Sequence, residues 1–169
     1  MECTVSSNIK SLFKAYLVQL EVIVSKIPDE LFSTALSDDM FSLEKNAKIA
    51  ANFILRGYCP LLGVESVSFV REQSGKSALL NQIADTLAYL EAQRNVVPDD
   101  RQFIQEKAGF SEIHLCQSDF IFQYIIPNYM FHMSMVYAIA RSQGVELSKG
   151  DFDGLHSYPV GYSFVNSRQ

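Results

Sequence analysis

The chain has 169 residues, 48% hydrophobic and 20% charged, with a formal net charge of −5. This balance excludes a disordered or fibrous chain and fits one domain over residues 1–169 with a real core. The acidic excess, with Lys10, Lys14, Lys26, Lys45 and Lys48 dispersed along the chain, argues against a nucleic-acid partner, which needs a clustered basic face.

Residues 5–27 carry Ile9, Leu12, Phe13, Tyr16, Leu17, Leu20, Ile23, Val24 and Ile27 at i, i+3, i+4, i+7 steps, the pattern of an amphipathic helix. Pro28 ends it, because the residue before a proline is pushed out of helical geometry. A second helix is expected from "SDDMFSLEKNAKIAANFILRG", with Ser37, Asp38 or Asp39 as cap and Gly57 as stop. Its apolar face is Met40, Leu43, Ala47, Ala50 or Ala51, and Ile54. The stretch "YCPLLGVESVSFVREQSG" is a connection, laying Leu61, Leu62, Val67 and Phe69 over the bundle end. "KSALLNQIADTLAYLEAQR" is the third helix, with Leu79, Leu80, Ile83, Leu87 and Leu90 on one side. Alternation around Ala108-Gly109 predicts a small β-hairpin within residues 102–116.

"DFIFQYIIPNYMFHMSMVYAIA", Asp119 to Ala140, is the fourth long helix and has no charge after its first residue. It is long enough to span a bilayer. Gln123, Asn128, His132 and Ser134 within it would be expensive in lipid, and three amphipathic helices offer it a place to bury, so no membrane is expected. Four such segments describe an all-α four-helix bundle with the hairpin before the last long helix.

Tyr124, Asn128 and His132 recur at i, i+4, i+8 and line one strip of that helix. Pro127 lacks an amide donor and clashes with the carbonyl of Gln123, so a kink or local unwinding is expected beside them. Two readings fit this polar strip. It is either a structural hydrogen-bond network, with Asn128 and His132 bonded across the core, or a site for a ligand or metal. His114 and His156 have no helical spacing to His132, which leaves a metal with one well-placed histidine.

The cysteines (Cys3, Cys59, Cys116) are odd in number and lack metal-type spacing. The opening "MECTVSSNIK" has no apolar export signal, so a reducing cytoplasm is the expected location.

"DDMFSLEKNAKIAANF", "ADTLAYLE" and "IIPNYMFHMSMVYAIARSQGVELSKGDFDG" resemble a domain-of-unknown-function family of DinB-like proteins. The likeness runs over roughly residues 8 to 154, and is most specific at Asp39, Met40 and Phe41, at Pro127, Asn128, Phe131 and His132, and at the ending from Arg141 to Gly154. The resemblance implies a DinB/YfiT-type four-helix bundle and a homodimer, within a superfamily that includes thiol-dependent transferases using a divalent metal held by three histidines. His132 looks like the counterpart of the histidine on the last helix. On the second helix, "LEKNAKIAA" stands where a metal-binding relative carries histidine, and Asn46 stands where the family usually shows Gln. The expectation is therefore a dimeric scaffold or ligand-binding module without a metal cofactor, its pocket lined by Asn46, Tyr124, Asn128 and His132. The alternative is a metal-dependent or thiol-dependent hydrolase or transferase built around His132.

Overall fold

A computed structural model describes residues 9–165, so positions 5–8 of the first expected helix lie outside the described residues. Helix α1, Ile9–Lys26, buries Ile9, Phe13, Leu17, Leu20, Ile23 and Val24, and leaves Leu12 at the surface. It ends one residue before Ile27-Pro28, where the proline stops it. A single 3₁₀ turn, Asp29–Leu31, follows.

Helix α2, Leu43–Leu62, departs from the sequence expectation at both ends. Its cap is Ser42, whose hydroxyl accepts from the Lys45 amide at 3.3 Å, and not Ser37, Asp38 or Asp39. Ser37 and Asp39 bond each other in the preceding turn, and Met40 is exposed there. At the other end the helix passes through Gly57 and Pro60 and stops at Gly63, whose φ of 74° is the left-handed geometry of a glycine cap. Residues 58–62 are thus helix rather than connection. Burial of Tyr58, Cys59 and Leu61 outweighs the local cost of Pro60.

Helix α3, Lys76–Ala92, is held at its start by two carboxylates from elsewhere. Glu44 accepts from the Gly75 amide at 3.1 Å, and Asp29 from the Lys76 amide at 3.2 Å. These satisfy amides that a helix start leaves unpaired, with favourable charge. Strands β1, Phe103–Ala108, and β2, Ser111–Cys116, pair antiparallel from Phe103 opposite Cys116 to Ala108 opposite Ser111. Their two-residue turn begins at Gly109, with φ of 61°.

The opaque last helix is one continuous rod in three parts: α4, Gln117–Asp119; a π-helical segment, Phe120–Ile125; and α5, Ile126–Ser142. In the π segment the amide of Ile126 reaches Ile121 O, five residues back. The wider turn sits directly before Pro127, which has no amide to give the Gln123 carbonyl. The expected local unwinding takes this form. A short α6, Lys149–Asp153, closes against α1 through Lys26 Nζ to Asp151 Oδ1 at 2.7 Å.

Helices α1, α2, α3 and α5 form the bundle, with α2 packed along α5 and α1 along α3. The fold is the expected mostly helical bundle with a small hairpin. Among the described residues no helix is long and apolar enough to cross a membrane.

Gly57, read from sequence as a stop, is instead a contact. A Cβ there would lie 2.5 Å from Cγ2 and 3.0 Å from Cγ1 of the buried Ile125. Alanine is favoured over glycine in a helix by about 1 kcal/mol, but overpacking a filled core costs about 1–3 kcal/mol. Gly57→Ala is therefore expected to lower the urea-unfolding midpoint. A raised midpoint would show that α2 and the π segment are not tightly packed at this point.

Candidate functional site

His132 and Asn46 meet where α5 lies along α2. Both are buried, at 8% and 2% exposure, and His132 Nδ1 is 2.8 Å from Asn46 Oδ1. The Asn46 amide nitrogen donates to Phe41 O and to Ser42 O, each at 3.0 Å. Both partners are carbonyls and can only accept, so the amide cannot be turned over without facing oxygen to oxygen. The oxygen must therefore point at the imidazole. It follows that His132 Nδ1 carries a hydrogen and donates it.

In the neutral ring the other nitrogen, Nε2, is then a bare acceptor. No described residue bonds it, and it is not among the sealed, unpartnered polar atoms of the interior. Burial pushes the imidazole below its ordinary range, which favours this neutral form. The ring is clamped by aromatics: Phe53 stacks on it with centroids 5.9 Å apart, and Phe131 meets it edge-on at 5.1 Å. Asn46 is thus an orienting partner for a histidine whose free nitrogen faces outward.

The remaining two candidates form a separate cluster. Asn128 makes no hydrogen bond with His132; its amide donates to Tyr124 O at 2.7 Å, one turn back on its own chain. The expected Asn128–His132 bond across the core is replaced by Asn46–His132. The Tyr124 ring packs on Phe120 and Phe53, at 5.6 and 5.9 Å. Phe53 touches both Tyr124 and His132 and so links the two clusters.

Phe53 and Arg56 are neighbours that the sequence did not single out. The Arg56 guanidinium lies over the Phe53 and Tyr124 rings, 5.0 and 5.6 Å from their centroids. It also bonds Glu106 at 3.1 Å and Lys107 O at 2.9 Å, tying the hairpin to α2. Only the chain order "NFILRG" hinted at this, since Phe53 and Arg56 share a face at i, i+3.

The metal centre implied by the resemblance does not fit these residues. His114 is stacked on Phe103 in the hairpin, and His156 pairs with Asp153 beyond α6. Among the described residues no group of three or more His, Cys, Asp or Glu side chains could hold a metal ion. The polar partner that His132 meets on α2 is an amide, a poor ligand for zinc, and it is already committed to three hydrogen bonds.

None of the curated proteins compared matches the chain. Among solved structures it is similar to a DinB family member protein from Shewanella denitrificans, with 25% sequence identity and a TM-score of 0.74. That likeness covers 89% of this chain and 92% of the other. Residues 7–153 match the family described as "Domain of unknown function (DUF1993)". With most of its length inside that match, and a bundle similar to that of a DinB family member, the chain belongs to the DUF1993 family.

Proposed function

We propose that the protein is a ligand-binding bundle whose working group is Nε2 of His132, and that it acts as a homodimer without a metal cofactor. The observation that carries this reading is the orientation of Asn46, which fixes the imidazole tautomer and leaves one basic nitrogen uncommitted. A group that donates an O–H or N–H is the complement to such a nitrogen, with the Phe53 and Phe131 rings holding the imidazole in place. Toward a bound acid, the same nitrogen is suited to accept a proton. The free thiols Cys59 and Cys116 fit a reducing cytoplasm.

The tautomer is checked by a long-range ¹H–¹⁵N spectrum at neutral pH. His132 is expected to show a protonated Nδ1 and a bare Nε2, and Asn46→Ala to relax this toward a mixture. A wild-type His132 protonated at Nε2 and bare at Nδ1 would overturn the reading.

Burial of the neutral ring also has a pH signature. In the unfolded chain the imidazole takes up a proton near pH 6.5, whereas in the folded chain it does so only at a lower pH. Between these two values the unfolded state binds more protons, so stability rises with pH. His132's contribution is complete above about pH 6.5 and is lost as the pH falls toward its folded value. Urea midpoints of the wild type are expected to drop over this window more steeply than those of His132→Gln. Parallel profiles would show that His132 titrates alike in both states.

Dimerisation is supported by large apolar side chains left at the surface: Met40, Phe41, Phe122 and Phe131 are 41%, 55%, 55% and 56% exposed. Phe41 and Phe131 flank the Asn46–His132 pair, and stable interfaces bury more than about 1,000 Å². Light scattering is expected to give particles of twice the 19.0 kDa chain mass. Particles of single-chain mass throughout the micromolar range would count decisively against a dimer.

A further inference from the structure

One face of α2 lines a recess that includes Phe53 but not the histidine. Lys45, Lys48, Asn52 and Arg56 supply its polar wall, and Ile49, Phe53 and Val70 its apolar floor, around about 300 Å³. No acidic side chain lines it, although the chain as a whole carries −5. We infer that this cleft binds a small organic anion, its acid group taken by the free donors of Lys45 and Asn52 and its apolar body lying over Ile49 and Val70.

The argument rests on which donors are already used. Lys48 is spent: its ammonium bonds Arg71 O at 3.0 Å, Gln73 O at 2.8 Å and Glu44 at 3.0 Å, pinning the loop that carries Val70. Arg56 is tied to Glu106 and Lys107 O through Nε and Nη2. The side chains of Lys45 and Asn52 make no hydrogen bond or ion pair with any described residue. They lie seven residues apart, on one stripe of the helix, and Asn52 is half-buried. Lys45 offers an unpaired ammonium and Asn52 a half-buried amide on the same cleft wall, and a carboxylate accepts from either kind of donor. Ile49 and Val70, beside the buried edge of Phe53, give the body of such a molecule an apolar surface.

Benzoate is the probe, with benzyl alcohol and inorganic phosphate as controls for the charge and for the ring. Backbone and side-chain amide shifts are followed during titration of the full chain. Benzoate is expected to saturate shifts along residues 45–56 and at the Asn52 side-chain amide. Lys45→Glu, at an exposed position, and Asn52→Ala, at a half-buried one, are each expected to weaken it about tenfold or more. His132→Gln is expected to leave benzoate binding unchanged, so failure here and failure of the His132 reading are separable. No saturable shift at these residues, equal binding of benzyl alcohol or of phosphate, or full affinity in Lys45→Glu would each overturn the proposal.

Discussion

The missing amide of Pro127 is the constraint from which the interior of this bundle follows. A regular helix would leave the Gln123 carbonyl pointing at a proline ring. The chain instead widens into a π turn over Phe120–Ile125, with Ile126 bonding five residues back, and resumes α geometry at Ile126. Two consequences spread from there. Ile125 drops against α2 at the one position without a Cβ, Gly57. Side chains before the turn are also rotated relative to those after it, so Tyr124 and His132 serve different neighbourhoods.

Of those neighbourhoods, the His132 one has the cleaner chemistry. A buried polar group costs about 1–3 kcal/mol when unpaired, which is why interiors rarely leave one unmatched. Asn46 is matched completely: its two hydrogens go to Phe41 O and Ser42 O, and its oxygen takes the hydrogen of Nδ1. His132 is matched on one side only. An interior that satisfies one partner fully and leaves the other with an outward-facing nitrogen differs from a purely structural network, in which both ring nitrogens would be spent. The same arrangement leaves Asn46 unsuited to hold a metal, since its amide already orients the imidazole.

The charged groups around the site have mostly structural employment. Glu44 caps α3 and pairs with Lys48, Lys48 pins the loop between α2 and α3, and Arg56 ties down the hairpin. Each links elements far apart in sequence, and each sits partly shielded from water, where such contacts are stronger than open surface pairs. Against that background the idle donors of Lys45 and Asn52 stand out, because they line the same cleft as two cations already fixed in scaffolding, Lys48 and Arg56.

The sequence by itself determined the elements whose signal is local. Apolar periodicity placed α1, α3 and α5, the prolines marked the end of α1 and the irregular turn before α5, and alternation around Gly109 marked the hairpin. It also picked out His132 as a polar residue in apolar company, while Asn46 came into view only through the family resemblance. Its misreadings came where a distant contact outweighs a local preference. Gly57 looks like a stop until Ile125 is seen in the notch, and Pro60 looks like a breaker until Tyr58, Cys59 and Leu61 are seen buried around it. Which polar groups meet was decided only by the tertiary structure. Helical spacing put Asn128 and His132 on one strip, but spacing along a helix says nothing about which carbonyl a side chain turns to or about an amide arriving from α2. Asn128 turned to its own backbone, and His132 crossed to Asn46, because a buried donor takes whichever acceptor the packed chain brings within about 3 Å.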